Sequence, residues 1–346
     1  MLRAMIDEIA LLQELVAVPA PPGQEKALAD VVSVKIAELG LAPKRDAKGN
    51  VLVRLGPSGP PAIVVTAHLD ELALMVTQID DNGDLHVTEL GGVQPWKWGE
   101  GPVEVLSSQP VTGILSFGSV HTEDPSAVVV QAKNGPLEWD QTRIVTGLAP
   151  EALAEHGVRP GSRAVMARSR RTLTQFGDYV SGYFLDDRSD IAAMLLALQR
   201  LKDHAFTVPV LFAATASEEV GGEGALYVLN EHRPPICLAL ELGPIVPDTP
   251  AILDAPPTVW AKDSYAAMDS RDLDLVASLG QEVQWQVLSR GGSDASCAAS
   301  HGLCARPVTF GIPMENSHGY EIIHRDAIAR LADLSVAYLT EAPKTL

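Results

Sequence analysis

The sequence predicts an α/β protein with a mixed sheet that is interrupted by an inserted all-β domain. Three short apolar runs have the pattern of buried strands, and helical periodicity recurs around them. These runs are residues 61–65, 208–214 and 236–242. Between about residues 72 and 171, short alternating segments separated by turn residues replace that pattern. We therefore assign residues 1–71 and 172–346 to an α/β domain and residues 72–171 to an inserted β-domain.

Apolar periodicity predicts helices near both ends of the chain. A helix is expected over residues 6–16, and a second over 24–39 ends at Gly40. Residues 51–55 alternate and predict a strand. The elements expected in the C-terminal half are a helix over 191–201 with Ser189 or Asp190 as its N-cap, a helix from Ala225, a small-residue helix after 291–295, a strand over 308–312 and a helix over 326–340.

Within the inserted domain, the pattern predicts a small barrel or sandwich. The expected strands are residues 74–79, 85–90, 103–106, 111–117, 127–130, 143–145 and 164–168, with one helix over 150–156. Trp96, Trp98, Trp139 and His121 also lie here. We interpret them as packing or interface residues, because no catalytic set accompanies them in the sequence.

Charge and composition exclude several classes of function. The chain of 346 residues carries a net charge of −18, which argues against nucleic acid as a partner because phosphate contacts need basic patches. Its longest apolar run, residues 191–198, is too short to span a membrane, and acidic residues interrupt the apolar stretch that a signal peptide would need within residues 1–16. Cys237, Cys297 and Cys304 lack zinc-type spacing and predict reduced thiols in a cytoplasmic protein.

The main functional signal is a set of histidine and acidic residues around the ends of the predicted strands. The set comprises His68 and Asp70 after the first strand, Glu218 and Glu219 after the second, Glu241 at the end of the third, and Asp186 and His318 in loops. Because the carboxyl ends of parallel strands meet at one edge of a sheet, we expect these side chains to share a crevice. Carboxylates that close repel one another, and one or two divalent cations would relieve the repulsion. Mixed His and carboxylate donors suit zinc, cobalt or manganese.

Six short motifs together resemble those of a known family. They are PAPPGQE at 19–25, AHLDE at 67–71, LDDR at 185–188, EEVG at 218–221, GGSDA at 291–295 and NSHGYE at 316–321. In order and spacing they resemble the glutamyl/tetrahedral (deblocking) aminopeptidase family of two-metal-ion metallopeptidases, over nearly the whole chain. The resemblance implies a two-metal peptidase domain with an inserted PDZ-like β-domain for oligomerisation and access control. It also implies two divalent ions per subunit, zinc before cobalt or manganese, and a homo-oligomer, often a hollow dodecamer.

The resemblance further implies a role for each residue of the set. Asp186 would bridge both metals, His68 and Glu241 would complete one metal site, Glu219 and His318 would complete the other, Glu218 would be the general base, and Asp70 would hold His68. The pairing of ligands with metals stays open. The implied reaction removes the N-terminal residue of a peptide, with a bridging metal-bound water as nucleophile and Glu218 moving its proton to the leaving amine.

Two positions depart from the family pattern. Glu241 stands where the family often has Asp, which leaves the metal preference open. Glu321 follows His318 by three residues, whereas many members have an acid four residues on, so its role beside His318 also stays open.

Several neighbouring residues have structural interpretations instead. Asp187 and Arg188 are expected to form an ion pair at a helix start, and Asp294 to cap a helix or line the substrate side. His301 and His324 are expected at the surface or in loops. Residues 221–224 predict a tight turn, because no lysine follows them as in a phosphate-binding loop.

Three alternative functions remain. A related two-metal carboxypeptidase or deacylase would use a similar ligand set but usually carries an inserted αβ domain. A glycosidase would need two carboxylates but has no use for ordered histidine ligands. A non-enzymatic scaffold homologue would be indicated by loss of a ligand or of the base.

Overall fold

A mixed sheet of eleven strands and a closed six-stranded barrel form the framework of the molecule. The structure is a computed structural model that describes residues 6–133 and 135–346. The expected absence of a signal peptide therefore rests partly on residues 1–5, which lie outside the described residues. The α/β class, the mixed sheet and the small barrel agree with the prediction from sequence.

The strands are numbered β1–β17 along the chain. Their bounds are β1 Lys44–Arg45, β2 Val51–Leu55, β3 Ile63–His68, β4 Ala73–Ile79, β5 Leu85–Leu90, β6 Gly101–Leu106, β7 Val111–Ser116, β8 Arg143–Val145, β9 Arg163–Met166, β10 Thr174–Phe176, β11 Tyr179–Tyr183, β12 Val210–Thr215, β13 Ile236–Pro244, β14 Thr258–Lys262, β15 Gln284–Val287, β16 Arg306–Glu315 and β17 Tyr320–His324.

The α-helices are numbered α1–α10 in the same way. Their bounds are α1 Glu8–Val16, α2 Lys26–Glu38, α3 Pro95–Trp98, α4 Val128–Gln131, α5 Pro150–Glu155, α6 Leu185–Leu201, α7 Glu223–His232, α8 Ser270–Ser278, α9 Asp294–Ser300 and α10 Ala327–Glu341. No helix within the described ranges combines the length and the apolar character needed to cross a bilayer.

The centre of the large sheet is the parallel group β12, β3, β13 and β16, in that order. Thr215 is in register with His68 on β3, and Glu241 is in register with Gly311 on β16. Because the strands are parallel and in register, the chain leaves them at a common edge, where open α/β sheets carry their sites.

Both faces of the central strands are buried, which explains their continuous apolar sequence. On β3, Ile63, Val65 and Ala67 belong to the core that packs under α1, α2, α6 and α10. Val64 points the other way, into the core under α7 and α9. The period of two along the strand thus assigns alternate residues to two cores.

The barrel closes in the order β4, β5, β8, β7, β6 and β9 around a core of its own. Trp98 and Trp139 pack edge to face in that core, with ring centroids 5.9 Å apart. Trp96, in contrast, is 62% exposed. Two of the three tryptophans are therefore core residues, and only Trp96 is available at the surface.

One predicted strand is wrong. Residues 127–130 were expected as a strand because of their three valines, but Val128–Gln131 form the short helix α4. The pairs β5–β8 and β7–β8 close the barrel without this segment, which leaves no strand edge for it to join. Tertiary context here overrides a local β preference.

The start of α6 also differs from the expectation. Ser189 and Asp190 were expected to be N-caps, yet both are buried inside the helix, which begins at Leu185. Asp186 and Asp187 have non-helical backbone angles in its first turn. The sequence prediction also missed β1, β10, β11, β14, β15, β17, α3 and α8, which lack a long apolar pattern. The three cysteines are unpaired, as expected.

Candidate metal centre

The end of β3 presents His68 at the centre of a buried polar cluster. Its Nδ1 lies 3.2 Å from the backbone oxygen of Asp70 and 3.5 Å from the Oδ1 atom of that residue. Its Nε2 lies 3.1 Å from Oδ1 of Asp186. The backbone N–H of His68 donates to Oδ2 of Asp187 at 2.6 Å, which holds the strand end against α6.

Asp70 supports more than His68. Its two carboxylate oxygens accept the backbone N–H groups of Glu218, at 2.8 Å, and of Glu219, at 3.0 Å. The turn that follows β12 is therefore fixed by a carboxylate at the end of β3. Charge-assisted bonds of this kind are shorter and stronger than neutral ones.

A second buried carboxylate, Glu25, holds the same turn from the other side. Oε1 of Glu25 accepts the hydroxyl of Ser217 at 2.9 Å and the N–H of Gly23 at 2.7 Å. Ser217 has a positive φ of 58°, which is uncommon for a residue with a side chain and needs support from its surroundings. Sequence reasoning noted the motif that contains Glu25 but assigned the residue no role.

Glu321 resolves the open question about the acid after His318. Its Oε1 accepts the backbone N–H of His318 at 2.9 Å, and its Oε2 accepts those of Leu185 and Asp186 at 2.7 and 3.1 Å. Glu321 thus orients the backbone beneath two site residues. It also satisfies N–H groups at the start of α6, which explains why no local cap is needed there.

The predicted residues meet in two groups that share Asp186. In the first group, His68, Asp186, Asp187 and Glu241 bring one potential ligand atom each within 4.8 Å of one another. In the second group, Asp186, Glu219 and His318 do the same. The Nε2 atom of His318 lies 3.6 Å from Oδ2 of Asp186, so the two oxygens of Asp186 face different histidines.

These donor sets fit divalent cations. They combine imidazole and carboxylate without thiolate, which suits zinc, cobalt or manganese. Two buried oxygens of residues in these groups, Oδ1 of Asp187 and Oε1 of Glu219, have no hydrogen-bond partner within the described part of the chain. Buried oxygens without a partner are costly unless an ion or water satisfies them.

The expected ion pair between Asp187 and Arg188 is not the contact that these residues make. Arg188 donates to Oε2 of Glu71 at 2.6 Å and to the backbone oxygen of Leu69. Asp187 instead receives the N–H of His68 and belongs to the first group. Sequence reasoning missed this position because adjacent opposite charges suggested a local pair.

Three glutamates of the cluster have raised pKa values because they lie close to other acids and away from water. At Asp186, burial also raises the pKa, but the hydrogen bond and charge of His68 outweigh burial and lower it. Burial, followed by the charge of Asp186, raises the pKa of Glu219 to about 8. Burial also raises the pKa of Glu218 and of Glu241 well above the usual range; Asp294 adds to the effect at Glu218, and Asp186 at Glu241. Without a cation, the carboxyl group of Glu219 holds its proton at neutral pH.

The neighbouring carboxylates also raise the pKa of His68. Burial lowers its pKa, but the carboxylates of Asp187 and Asp186 outweigh burial and raise the pKa well above the usual value. The imidazolium ring supplies positive charge where carboxylates converge. A divalent cation would supply that charge instead and leave a nitrogen free as ligand.

Both groups open into a cleft of about 600 Å³. Glu218 also lines it, although it belongs to neither group. Its lining also includes Trp260 on β14, and Tyr265 and Arg290 in loops that the sequence could not place. The cleft can therefore hold a small ligand against the acids and histidines.

Other residues that were interpreted as structural lie outside both groups. Asp294 accepts the hydroxyl of Thr215 at 2.7 Å behind the sheet edge, and Ser293, not Asp294, is the N-cap of α9. His301 follows α9, and His324 stacks edge-on against Tyr179. Residues 221–224 form a tight turn into α7, as predicted, with a φ of 69° at Gly222.

Comparison with known proteins finds a peptidase family over most of this chain. The model of the M42 glutamyl aminopeptidase family matches residues 49–334. A lysyl aminopeptidase of Pyrococcus furiosus is 28% identical over 239 residues, which span 67% of this chain and 65% of that protein. This chain spans about two thirds of the length of the curated relatives that it matches first.

Solved structures match over nearly the whole chain. An aminopeptidase from the archaeon Desulfurococcus kamchatkensis has a TM-score of 0.85 at 25% identity, covering 97% of this chain and 96% of that one. The TET1 peptidase of Pyrococcus horikoshii, described as assembling into a tetrahedron or a large octahedral shell, has a TM-score of 0.83 at 27% identity, with 96% and 99% covered.

Proposed function

This chain belongs to the M42 glutamyl aminopeptidase family and is a hydrolase of that class, and we propose that it acts as a metal-dependent aminopeptidase on peptides. The family expected from the six motifs is thereby confirmed. The observation that carries the proposal is the carboxylate of Asp186, which lies between two groups of histidine and acid in one cleft. Sites that hold two ions close together commonly hydrolyse amides and phosphates.

We propose two divalent ions per subunit, zinc in the first place and cobalt or manganese as alternatives. His68, Asp186 and Glu241 would hold one, with Asp187 as a further candidate ligand; Asp186, Glu219 and His318 would hold the other. When bound, such ions polarise a carbonyl oxygen and lower the pKa of the water that they bind toward neutral. The longer arm of Glu241 does not prevent its carboxylate from joining the first group.

Glu218 is the proposed general base and acid. It lines the cleft, and its backbone is fixed by Asp70 and, through Ser217, by Glu25. Its raised pKa suits a group that must accept a proton and give it back near neutral pH. Glu218 would take a proton from the attacking water and pass it to the leaving amine.

Selectivity for the N-terminal residue would come from charge. The cleft is lined by several carboxylates, and a free α-amino group is a cation that they attract. A peptide with a blocked N-terminus lacks that charge. A carboxypeptidase or deacylase, in contrast, would accept blocked substrates.

The domain roles are also part of the proposal. Residues 1–71 and 172–346 would form the metallopeptidase domain, and residues 72–171 an inserted PDZ-like domain that serves oligomerisation and access control. The separate core of the barrel supports this division. The unpaired cysteines support a cytoplasmic location.

We expect a homo-oligomer, with a dodecamer as the first candidate and a dimer as the second. The assembly of the Pyrococcus horikoshii relative supports this proposal, as does the exposed Trp96 on the barrel side. Multi-angle light scattering at micromolar concentration measures the mass directly. A monomer alone under those conditions would contradict the proposal.

The activity is tested on a panel of aminoacyl anilides, matched N-acetylated peptides and a cellulosic substrate. We expect hydrolysis of the free aminoacyl compounds alone, with activity lost after chelation and restored by zinc, cobalt or manganese. Undiminished turnover after chelation, with metal loss verified by elemental analysis, would exclude the metal mechanism. Hydrolysis of the acetylated peptides would favour a deacylase. If no substrate is hydrolysed, a non-enzymatic scaffold would be favoured.

A further inference from the structure

We propose that the inserted barrel contributes directly to the metal centre. The backbone carbonyl of Gly92 orients His318 and so completes the second group. The inference rests on the proposed function in one respect, namely that the second group binds a divalent ion. It assigns to the barrel a role inside the site, in addition to assembly and access.

The contact that carries the inference joins the segment after β5 to the loop before β17. Nδ1 of His318 lies 3.0 Å from the backbone oxygen of Gly92. A carbonyl oxygen can only accept, so Nδ1 is the donor, and in the neutral ring this tautomer leaves the lone pair on Nε2. Nε2 is the atom that faces Asp186, at 3.6 Å. The carbonyl thus fixes the tautomer and ring plane that a metal ligand requires.

Two glycines lie where the barrel segment comes this close. A Cβ atom at Gly92 would lie 3.1 Å from both Nδ1 and Cε1 of His318. At Gly91, which has a φ of 94°, a Cβ atom would lie 2.6 Å from Leu72 and 3.2 Å from the Cβ of Glu219. Two successive glycines therefore pack against two of the three residues of the second group.

A second contact between the barrel and the same loop lies nearby. Nζ of Lys97 donates to Oδ1 of Asn316 at 3.2 Å, and the stem of Lys97 covers Gly319. Within this loop, Asn316 and His318 both have positive φ, at 68° and 61°. Such a backbone needs support from its surroundings, which here comes from the barrel on one side and Glu321 on the other.

The first group does not depend on the barrel in this way. His68 and Glu241 lie on central strands, and Asp187 lies in the first turn of α6. Their hydrogen bonds run to one another, to Asp70, to Asp186 and to the backbone of β13. A perturbation at Gly92 should therefore weaken one ion site and spare the other.

The test is a zinc titration of the metal-free full-length protein by equilibrium dialysis, with Gly92→Ala compared to the wild type. Gly92 does not have a positive φ, so alanine is compatible with its backbone, and the new methyl group meets only His318. The matched control is Gly135→Ala, in the same inserted segment, where no heavy atom lies within 4 Å of the new Cβ.

We expect wild type and Gly135→Ala to bind two zinc ions alike. In Gly92→Ala one ion should bind about 10–100-fold more weakly, the usual effect of disturbing the partner of a metal ligand, and the other should bind unchanged. His318→Ala should weaken the same ion further. A folded Gly92→Ala that binds both ions like the wild type would overturn the inference, and so would equal weakening of both ions.

Lys97→Ala provides a second variant at an exposed position. It removes the bond to Asn316 and should weaken the same ion several-fold. If Gly92→Ala does not fold, unchanged binding by Lys97→Ala decides against the inference. A wild type that binds no divalent ion would instead refute the proposed function, which keeps the two failures apart.

Discussion

Glu218 and Glu219 are adjacent in the sequence, yet they occupy different positions in the site. Glu219 belongs to the second group, whereas Glu218 lines the cleft outside both groups. Asp70 holds both backbone N–H groups, so neither side chain can exchange position with the other. In the proposed mechanism, Glu219 is therefore the metal ligand and Glu218 the proton carrier.

Glutamine substitutions should separate these roles. Glu218→Gln keeps the shape but removes the basic oxygen, so metal content should survive while kcat falls by about 10²–10⁴-fold or more. Glu219→Gln should lose one ion and regain part of its activity at high metal concentration. Metal stoichiometry and kcat on an aminoacyl anilide decide the matter; the opposite pattern would reverse the two roles.

Glu25 affects Glu218 indirectly, through its hydrogen bond with Ser217. Glu25→Ala removes the acceptor of a buried hydroxyl, which typically costs about 1–3 kcal/mol, and frees the turn before Glu218. We expect kcat to fall with KM and metal content nearly unchanged. Glu25→Gln keeps an acceptor oxygen and should recover most of kcat; if both variants lose equally, a purely structural role for Glu25 is indicated.

At the scale of elements, a buried ion network joins the barrel to the large sheet. Glu71, at the chain's entry to the barrel, accepts both Arg188, in the first turn of α6, and Arg171, shortly after β9. All three side chains have no exposed area. The network therefore ties both ends of the barrel segment to the helix that carries Asp186.

Removing Glu71, the partner that both arginines share, should strongly destabilise the fold. Glu71→Ala leaves two buried guanidinium groups without their carboxylate, and breaking a buried pair typically costs about 3–5 kcal/mol. The control is Asp333→Ala, whose pair with Arg200 is about half exposed and should contribute at most about 1 kcal/mol. Urea unfolding of both variants measures the difference; equal, small effects would show that the network does not stabilise the fold.

At the scale of the whole molecule, the concentration of acids at one sheet edge predicts that bound cations stabilise the fold. Without ions, the raised pKa values of Glu219 and Glu321, both about 8, show that the folded state resists their ionisation. Metal binding removes that cost and adds its own binding energy, since ligands stabilise the state that binds them. Chelation should therefore lower Tm as well as abolish activity.

The pH dependence of the metal-free protein follows from the same two groups. Their pKa is about 8 in the folded state against an ordinary 4.5, so the folded state binds protons more tightly. Between these values, their contribution to stability rises as pH falls and is lost as pH rises toward 8. Calorimetry should show the difference in Tm between the zinc-bound and metal-free protein shrinking from pH 8 to pH 6; a widening difference would contradict this account.

The sequence by itself determined which segments form the central strands and which candidate ligands lie at their ends. His68, Glu219 and Glu241 follow apolar runs whose period and length are local properties, so their position at one sheet edge could be predicted. Asp186 and His318 were identified because their motifs resemble those of a family. The class of chemistry followed from these side chains.

Only the tertiary structure decided what holds those ligands in place. Asp187 reaches His68 across 119 residues of sequence, and Gly92 reaches His318 across 226. Glu25 likewise accepts the hydroxyl of Ser217 across 192 residues, and Glu321 accepts the backbone N–H of Asp186 across 135. Contacts of this kind depend on how strands and loops come together in three dimensions, and local patterns along the chain carry no information about them.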